Sequence, residues 1–492
     1  MQNEHQFSNL VYEYFFMRIK FRYYKYGDCL PSIDTLCQEF SVSSQTVKIA
    51  LQRLRAEGYI DMHNGRPTRI IFQQTEEDAD QCLLQYFSLR AGSFCDLYDS
   101  TRMIIHPLLM EGFRRCGKED LTYLVRLSEG TSTNDVLHFF CFVLQKLDNP
   151  LAMNLYWEMT LFWGLLFLKQ DEDKELSHVE LMHEEMRRCV SFAVKEDWAL
   201  LYEELQIFRQ DSVGIAVRLL GRLVAPASEE EQIGFDWRIY YGRPQVCYSL
   251  ASRLLHEIYM GCYQNAELLP SYKKMAEQYR VSVSTIRRTV NILHQLGVVR
   301  PVNGKGTKIF GIGDACGKPD FGSPVVRRSL AFFVQSFELL AYSFQHVMQG
   351  ILAEITIEER DSLIHELETQ LQTGRQELAL WSCLLFVHRH SRLKGIREIY
   401  GRIYSLFLWG YPLKAFSNGT PTLDETMFHF TDMMIHSIRE NDTDGCGSAI
   451  KELVGRQFPA AEQYLLNQGI GLDELRLTPA IRLMVTTPQK NQ

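Results

Sequence analysis

The sequence lacks the spacings that gather metal or redox chemistry into a few side chains. Its 12 cysteines over 492 residues include no Cys-x-x-Cys pair and no regular interval. That excludes a disulfide framework or a zinc site and leaves reduced thiols, as expected in a cytoplasm. There is no Gly-rich phosphate loop, no Gly-x-Ser-x-Gly and no His-Glu-x-x-His, so the chain does not read as an enzyme. No long hydrophobic run is present. The most apolar stretch, Tyr156 to Leu168, is short and contains Glu158, which fits a buried helix and no membrane span. The start, MQNEHQFSNL, shows no charged-then-apolar export pattern. Hydrophobic content of 46% and charged content of 23% are those of a globular protein long enough for three or four domains.

Positive charge is scarce overall, with a net charge of -8, yet it is unevenly placed. Residues 18–72 carry a net charge of +4 and residues 257–311 carry +5, so the remainder sums to -17. Basic modules on an acidic body are expected where only one face meets phosphates.

The same two windows are copies of each other, 239 positions apart. Pro31-Ser32 lies on Pro270-Ser271, and Val42-Ser43-x-x-Thr46 on Val281-Ser282-x-x-Thr285. Leu54-x-x-x-Gly58 lies on Leu293-x-x-x-Gly297, and Asn64-Gly65-x-x-Thr68-x-Ile70 on Asn303-Gly304-x-x-Thr307-x-Ile309. Over 54 ungapped positions, 14 are identical. A repeat on this scale sets the architecture before any single motif does.

Each copy reads as a winged helix-turn-helix. An amphipathic segment, Leu10 to Phe21, precedes a break at Gly27-Asp28, and Ser32 then offers an N-cap to a short helix ending near Phe40. Ser41-Val42-Ser43 forms the turn before a second helix, from about Ser44 to Glu57, which Gly58 terminates. Two strands flank Asn64-Gly65, a strong hairpin signal. The second copy repeats this order. Between and after the copies lie two segments with apolar residues three and four apart, predicting all-helical bundles. The expected domains are a winged helix over 1–75, a helical body over 80–240, a second winged helix over 244–314, a second helical body over 325–477 and a tail over 478–492. The fold class is therefore mainly α, with a small β-hairpin wing in each copy. Connectors are expected at Gln73–Asp80, Gly242–Pro244 and Gly311–Pro324.

In this motif the second helix enters the major groove, and its first residues meet base edges. In the first copy those residues are Ser43, Ser44, Gln45, Thr46 and Lys48, with Ser32 at the preceding helix and Arg66 and Thr68 in the wing. In the second they are Ser282, Ser284, Thr285, Arg287 and Arg288, with Ser271 and Lys273 before and Gly304, Lys305, Gly306 and Thr307 in the wing. Hydroxyls and amides bond bases or phosphates, Arg pairs with guanine or clamps a phosphate, and wing cations track the backbone.

These residues together resemble the GntR family of bacterial transcription regulators. The family's Leu-Pro-Ser, Val-Ser-x-x-Thr and Gly-x-Gly-Thr segments are matched by Leu30-Pro31-Ser32, Val42-Ser43, Thr46-Val47-Lys48 and Gly65-Arg66-x-Thr68, and again by Leu269-Pro270-Ser271, Val281-Ser282, Thr285-Ile286-Arg287 and Gly304-Lys305-Gly306-Thr307. The family's Arg after Pro-Ser is Asp34 in the first copy and Lys273 in the second. The first wing has Pro67 where the family has Gly. An Asp aimed at phosphate repels it, so the second copy is expected to contribute more affinity.

The resemblance implies a double-stranded DNA operator as partner. It also implies helical bodies like the ligand-sensing domains of the FadR-like branch, whose members often hold a divalent metal with one Asp and three His. Asn134 stands where that Asp should be, which leaves Asp135, His138 and His183 as the candidate ligands in the first body. The leading expectation is a cytoplasmic regulator, a single-chain pseudo-dimer whose DNA affinity responds to a small-molecule effector, with further homodimerisation open. The alternative is a ligand-binding or protein-interaction scaffold with degenerate DNA binding, motivated by Asp34 and Pro67.

Overall fold

A computed structural model describes residues 2–40, 42–63, 65–131, 133–164, 172–215, 217–218, 222, 224–239, 246–312, 314, 317–416 and 421–476. The protein is mainly helical, 72% helix, with two small antiparallel sheets. It divides into two compact units, the first built chiefly of Met1–Tyr241 and the second of Gly242–Ser391 and Ile396–Leu475.

In the first unit, α1 (Gln2–Lys20), α2 (Ile33–Phe40) and α3 (Ser44–Ala56) close around Leu10, Phe15, Ile19, Leu36, Val47, Leu51 and Leu54, all buried. The Phe40 ring sits edge-on to Tyr14 and Phe15, with centroids 5.1 and 5.8 Å away. Strands β1 (Ile60–Asp61) and β2 (Arg69–Ile70) form the wing, pairing Ile60 with Ile70 and Asp61 with Arg69. Asn64 of the expected hairpin and Ser41 of the expected turn lie outside the described residues.

The second unit repeats this with α11 (Val246–Tyr259), β3 (Leu268–Leu269), α12 (Tyr272–Tyr279), α13 (Val283–Gln295), β4 (Val299–Val302) and β5 (Gly306–Ile309). Here the sheet has three strands in the order β3-β5-β4. The third strand was not foreseen, because two residues are too short for any periodic signal. Its counterpart survives in the first copy as a single bridge, Cys29 to Arg69, at the positions equivalent to Leu268 and Lys308. Gly58 and Gly297 hold the same left-handed φ, +82° and +86°, which turns the chain from the recognition helix into the wing.

The first body comprises, among the described residues, α4 (Glu76–Ser88), α5 (Ala91–Arg114), α6 (Lys118–Ser128), α7 (Thr133–Gln145), α8 (Pro150–Trp163), α9 (Glu172–Val194) and α10 (Trp198–Arg209). Two readings need correction. Glu76–Asp80, expected as connector, is the first turn of α4, because Thr75 and Asp78 form a reciprocal capping box. The apolar helix stops at Trp163, where Gly164 takes a left-handed φ of +67°; residues 165–168 lie outside the described set. Residues 224–239 have no regular structure. They run back along the bundle as a strap, with the Ile233 amide donating to Leu89 O (2.6 Å) and the Trp237 indole to Asn154 Oδ1 (2.8 Å).

The second body comprises α14 (Pro324–Leu352), α15 (Ile357–Gln372), α16 (Ala379–His390), α17 (Lys394–Gly410), α18 (Pro421–Glu440), α19 (Thr443–Asn467) and the short α20 (Leu472–Leu475). Helix α14 packs along α19 and buries a continuous apolar stripe that includes Leu330, Leu340, Phe344 and Val347. The expected connector 242–244 and the tail 478–492 fall outside the described residues. No described helix is long and apolar enough to cross a membrane.

Candidate nucleic-acid interface

Both recognition helices start from the same device. Ser43 Oγ accepts the Thr46 amide (3.1 Å) and shares a hydroxyl bond with Thr46 Oγ1 (2.9 Å). Ser282 Oγ does the same with the Thr285 amide (3.1 Å) and Oγ1 (2.9 Å). Each serine thus satisfies an orphan amide of the first helical turn. Ser32 and Ser271 likewise cap α2 and α12, accepting from Thr35 (3.0 Å) and Lys274 (3.3 Å).

The candidate contact residues therefore separate into two kinds. Thr46, Thr68 and Thr307 are 1%, 9% and 4% exposed, so their side chains are packed into the scaffold. Thr285 is half-buried in its capping bond. Ser44, Gln45 and Lys48 on α3, and Ser284, Arg287 and Arg288 on α13, are exposed at the N-terminal ends of their helices. Ser32, Lys273, Arg66, Gly304, Lys305 and Gly306 are exposed as well. Among the described residues, Lys48, Arg66, Lys273, Arg287 and Lys305 have no carboxylate partner, and their charge is open to an incoming anion.

The two surfaces differ in charge where the scaffolds agree. Asp34 occupies the first turn of α2, whereas α12 presents Lys273 and Lys274 there. On the first wing Asp61 stands opposite Arg69, a pair of unlike charge. At the equivalent positions of the second wing Arg300 stands opposite Lys308, both exposed and both over the Phe310 ring, at 5.5 and 5.7 Å. Like charges placed opposite each other on a strand pair repel, and a bound phosphate relieves that repulsion. Arg300 was missed in the sequence, although the exchange of Asp61 for Arg300 between the copies marks it.

Residues 7–70 and 249–309 each match the family model described as bacterial regulatory proteins, gntR family. Both segments are GntR-type DNA-binding domains. No curated protein matches the chain in sequence. Among solved structures, Streptococcus agalactiae GntR is similar at 18% identity over 44% of this chain and 99% of its own, with a TM-score of 0.21. E. coli McbR/YncC is similar at 14% identity over 44% and 98%, with a TM-score of 0.24. Lar, described as controlling expression of the Listeria monocytogenes agr system, is similar at 16% identity over 46% and 98%, with a TM-score of 0.20.

The candidate metal ligands lie on α7 and α9. Asp135 Oδ2 and His183 Nε2 approach to 3.9 Å, and His183 is buried. Burial holds the His138 imidazole below its usual range, against the opposing pull of Asp135. Among the described residues no group of three His, Cys, Asp or Glu side chains gathers around a point that could hold an ion. In the second body His388 bonds Arg397 O (2.7 Å) and His390 pairs with Glu359 (3.0 Å).

Proposed function

We propose that the chain is a transcription regulator that binds an asymmetric double-stranded DNA site through two non-equivalent GntR-type readers. The observation that carries this is the division of labour just described. The repeated identities, Ser43/Ser282, Thr46/Thr285, Gly58/Gly297 and Thr68/Thr307, build the same scaffold. The exposed positions differ between copies, Ser44 against Val283, Gln45 against Ser284 and Lys48 against Arg287, as does the half-buried Ile49 against the exposed Arg288. A pair of identical readers selects a palindrome, whereas an unlike pair selects two dissimilar half-sites. The two units form a single-chain pseudo-dimer in this reading. The helical bodies act as effector domains of the FadR-like kind, with a small molecule shifting DNA affinity.

Selection of the full chain on a random DNA library tests this, followed by anisotropy on the selected duplex and a scrambled one at two salt concentrations. The expected outcome is one pair of dissimilar half-sites bound with a steep loss of affinity in salt. Recovery of perfect palindromes alone defeats the asymmetric reading. Equal binding to scrambled DNA would favour the scaffold role that Asp34, exposed on the first reader, suggests.

A further inference from the structure

We infer that the second helical body holds a neutral, largely apolar small molecule in a cavity whose wall continues into the helix that carries the second reader. This rests on the ligand-responsive reading above. The cavity encloses about 710 Å³, the size range of pockets for drug-sized ligands. Phe333, Phe337, Phe407, Met427 and Leu453 supply its apolar lining.

The polar groups on the wall define the ligand's charge. Lys414 is already paired with Glu377 (3.9 Å) and Asp424 (3.4 Å), and Arg456 with Glu452 (2.5 Å). Both cations are therefore compensated, and an anionic ligand would have to break an existing pair. Tyr464 also lines the cavity, and its buried hydroxyl has no hydrogen-bond partner among the described residues. An apolar lining strips the hydration from any charge, so the fitting molecule is a neutral, ring- or chain-bearing compound.

One wall of the cavity is Tyr411, just after the end of α17, whose hydroxyl donates to Glu377 O. Its ring packs on Trp381, with centroids 3.5 Å apart, and both rings face Tyr259 of α11, at 6.3 and 5.8 Å. Trp409 donates to Ser252 (3.0 Å) and Tyr404 bonds His256, so α11 is fixed to the body along one side. On its other side α11 packs on the recognition helix α13, where Thr289 Oγ1 reaches Cys247 O (3.4 Å). A molecule that displaces Tyr411 thus moves Trp381 and Tyr259, and with them the helix behind α13. The first copy has no such relay at the equivalent positions, where Lys20 replaces Tyr259, Met17 replaces His256 and Glu13 replaces Ser252. The ligand acts on the second reader and leaves the first unchanged.

The test uses the full chain and the neutral fluorescent probe N-phenyl-1-naphthylamine, with amide hydrogen exchange as the readout. The probe is expected to bind the protein more tightly than its sulfonated relative 1-anilinonaphthalene-8-sulfonate. Ala461→Trp, which fills the cavity wall, should weaken the probe at least tenfold while thermal unfolding stays cooperative. Bound probe should change exchange in residues 246–259 and 283–295 but not in 2–20 or 44–56. Tyr259→Leu should keep probe binding and lose that change, and Tyr259→Phe should keep both. Tighter binding of the sulfonate, or probe binding indifferent to Ala461→Trp, overturns the cavity assignment. Exchange changes absent from 246–259, or equal in both readers, overturn the relay. Because no DNA is involved, these results stand apart from any failure of the DNA-binding reading.

Discussion

Ser43 and Ser282 look like DNA contacts in a sequence because they open the recognition helices. In the structure their hydroxyls are committed to capping, and the residues that follow are the ones left to meet a duplex. Arg287 is the strongest of these, exposed and without a carboxylate partner among the described residues, and its counterpart is Lys48. Arg287→Ala is expected to weaken binding to the selected duplex by about 1–3 kcal/mol. Lys48→Ala should cost less, and equal losses in an anisotropy titration would contradict the greater share assigned to the second reader. A different residue contributes to the response to pH. Glu185 on α9 is fully buried, and burial, together with the Asp211 carboxylate, pushes its pKa up to about 8. Unfolding exposes it and returns it to its ordinary value near 4.5. Below that value the side chain is protonated in both states. Between the two values only the unfolded state releases the proton, so stability falls as pH rises through this window. Glu185→Gln should raise the melting temperature at pH 8 and leave it nearly unchanged at pH 4.5.

At the scale of elements, the caps and the wings carry separable effects. Ser282→Ala removes the N-cap of α13 and should cost about 1 kcal/mol of local stability, seen as faster exchange of the first-turn amides. Arg287→Ala, on the same helix but exposed and outside the capping bonds, should leave exchange of those amides unaltered and affect only DNA affinity. The helix-turn-helix was legible because its identities sit where geometry admits few residues: a capping Ser, a left-handed Gly, a buried Thr. The same property mixes buried with exposed candidates. Thr46, Thr68 and Thr307 repeat because the fold needs them, and repetition alone does not distinguish a buried hydroxyl from one that meets DNA. Strand β3 and the strap 224–239 were illegible for a different reason. The strand spans two residues, and the strap is held by backbone bonds to Ser88 and Leu89 more than 130 positions away. No local pattern encodes either. The capping box at Thr75 was readable in principle, since Thr75 stands three residues before Asp78.

For the whole molecule, the two readers share one backbone plan with two charge distributions. Replacing Ser44, Gln45, Lys48 and Ile49 with the Val, Ser, Arg and Arg of α13 should make the selected DNA site more nearly palindromic, which a repeat of the library selection would register. A chimera that still selects the original unlike half-sites would show that the wings, and not the recognition helices, set the preference. Carrying both readers in a single chain also changes what one substitution can do. In a protein assembled from two identical copies, every altered side chain arrives twice, once on each half of the operator. In the pseudo-dimer proposed for this chain it arrives once. Each half-site can therefore drift with its own reader while the other holds its place, so recognition can be revised one half at a time without ever losing the whole address.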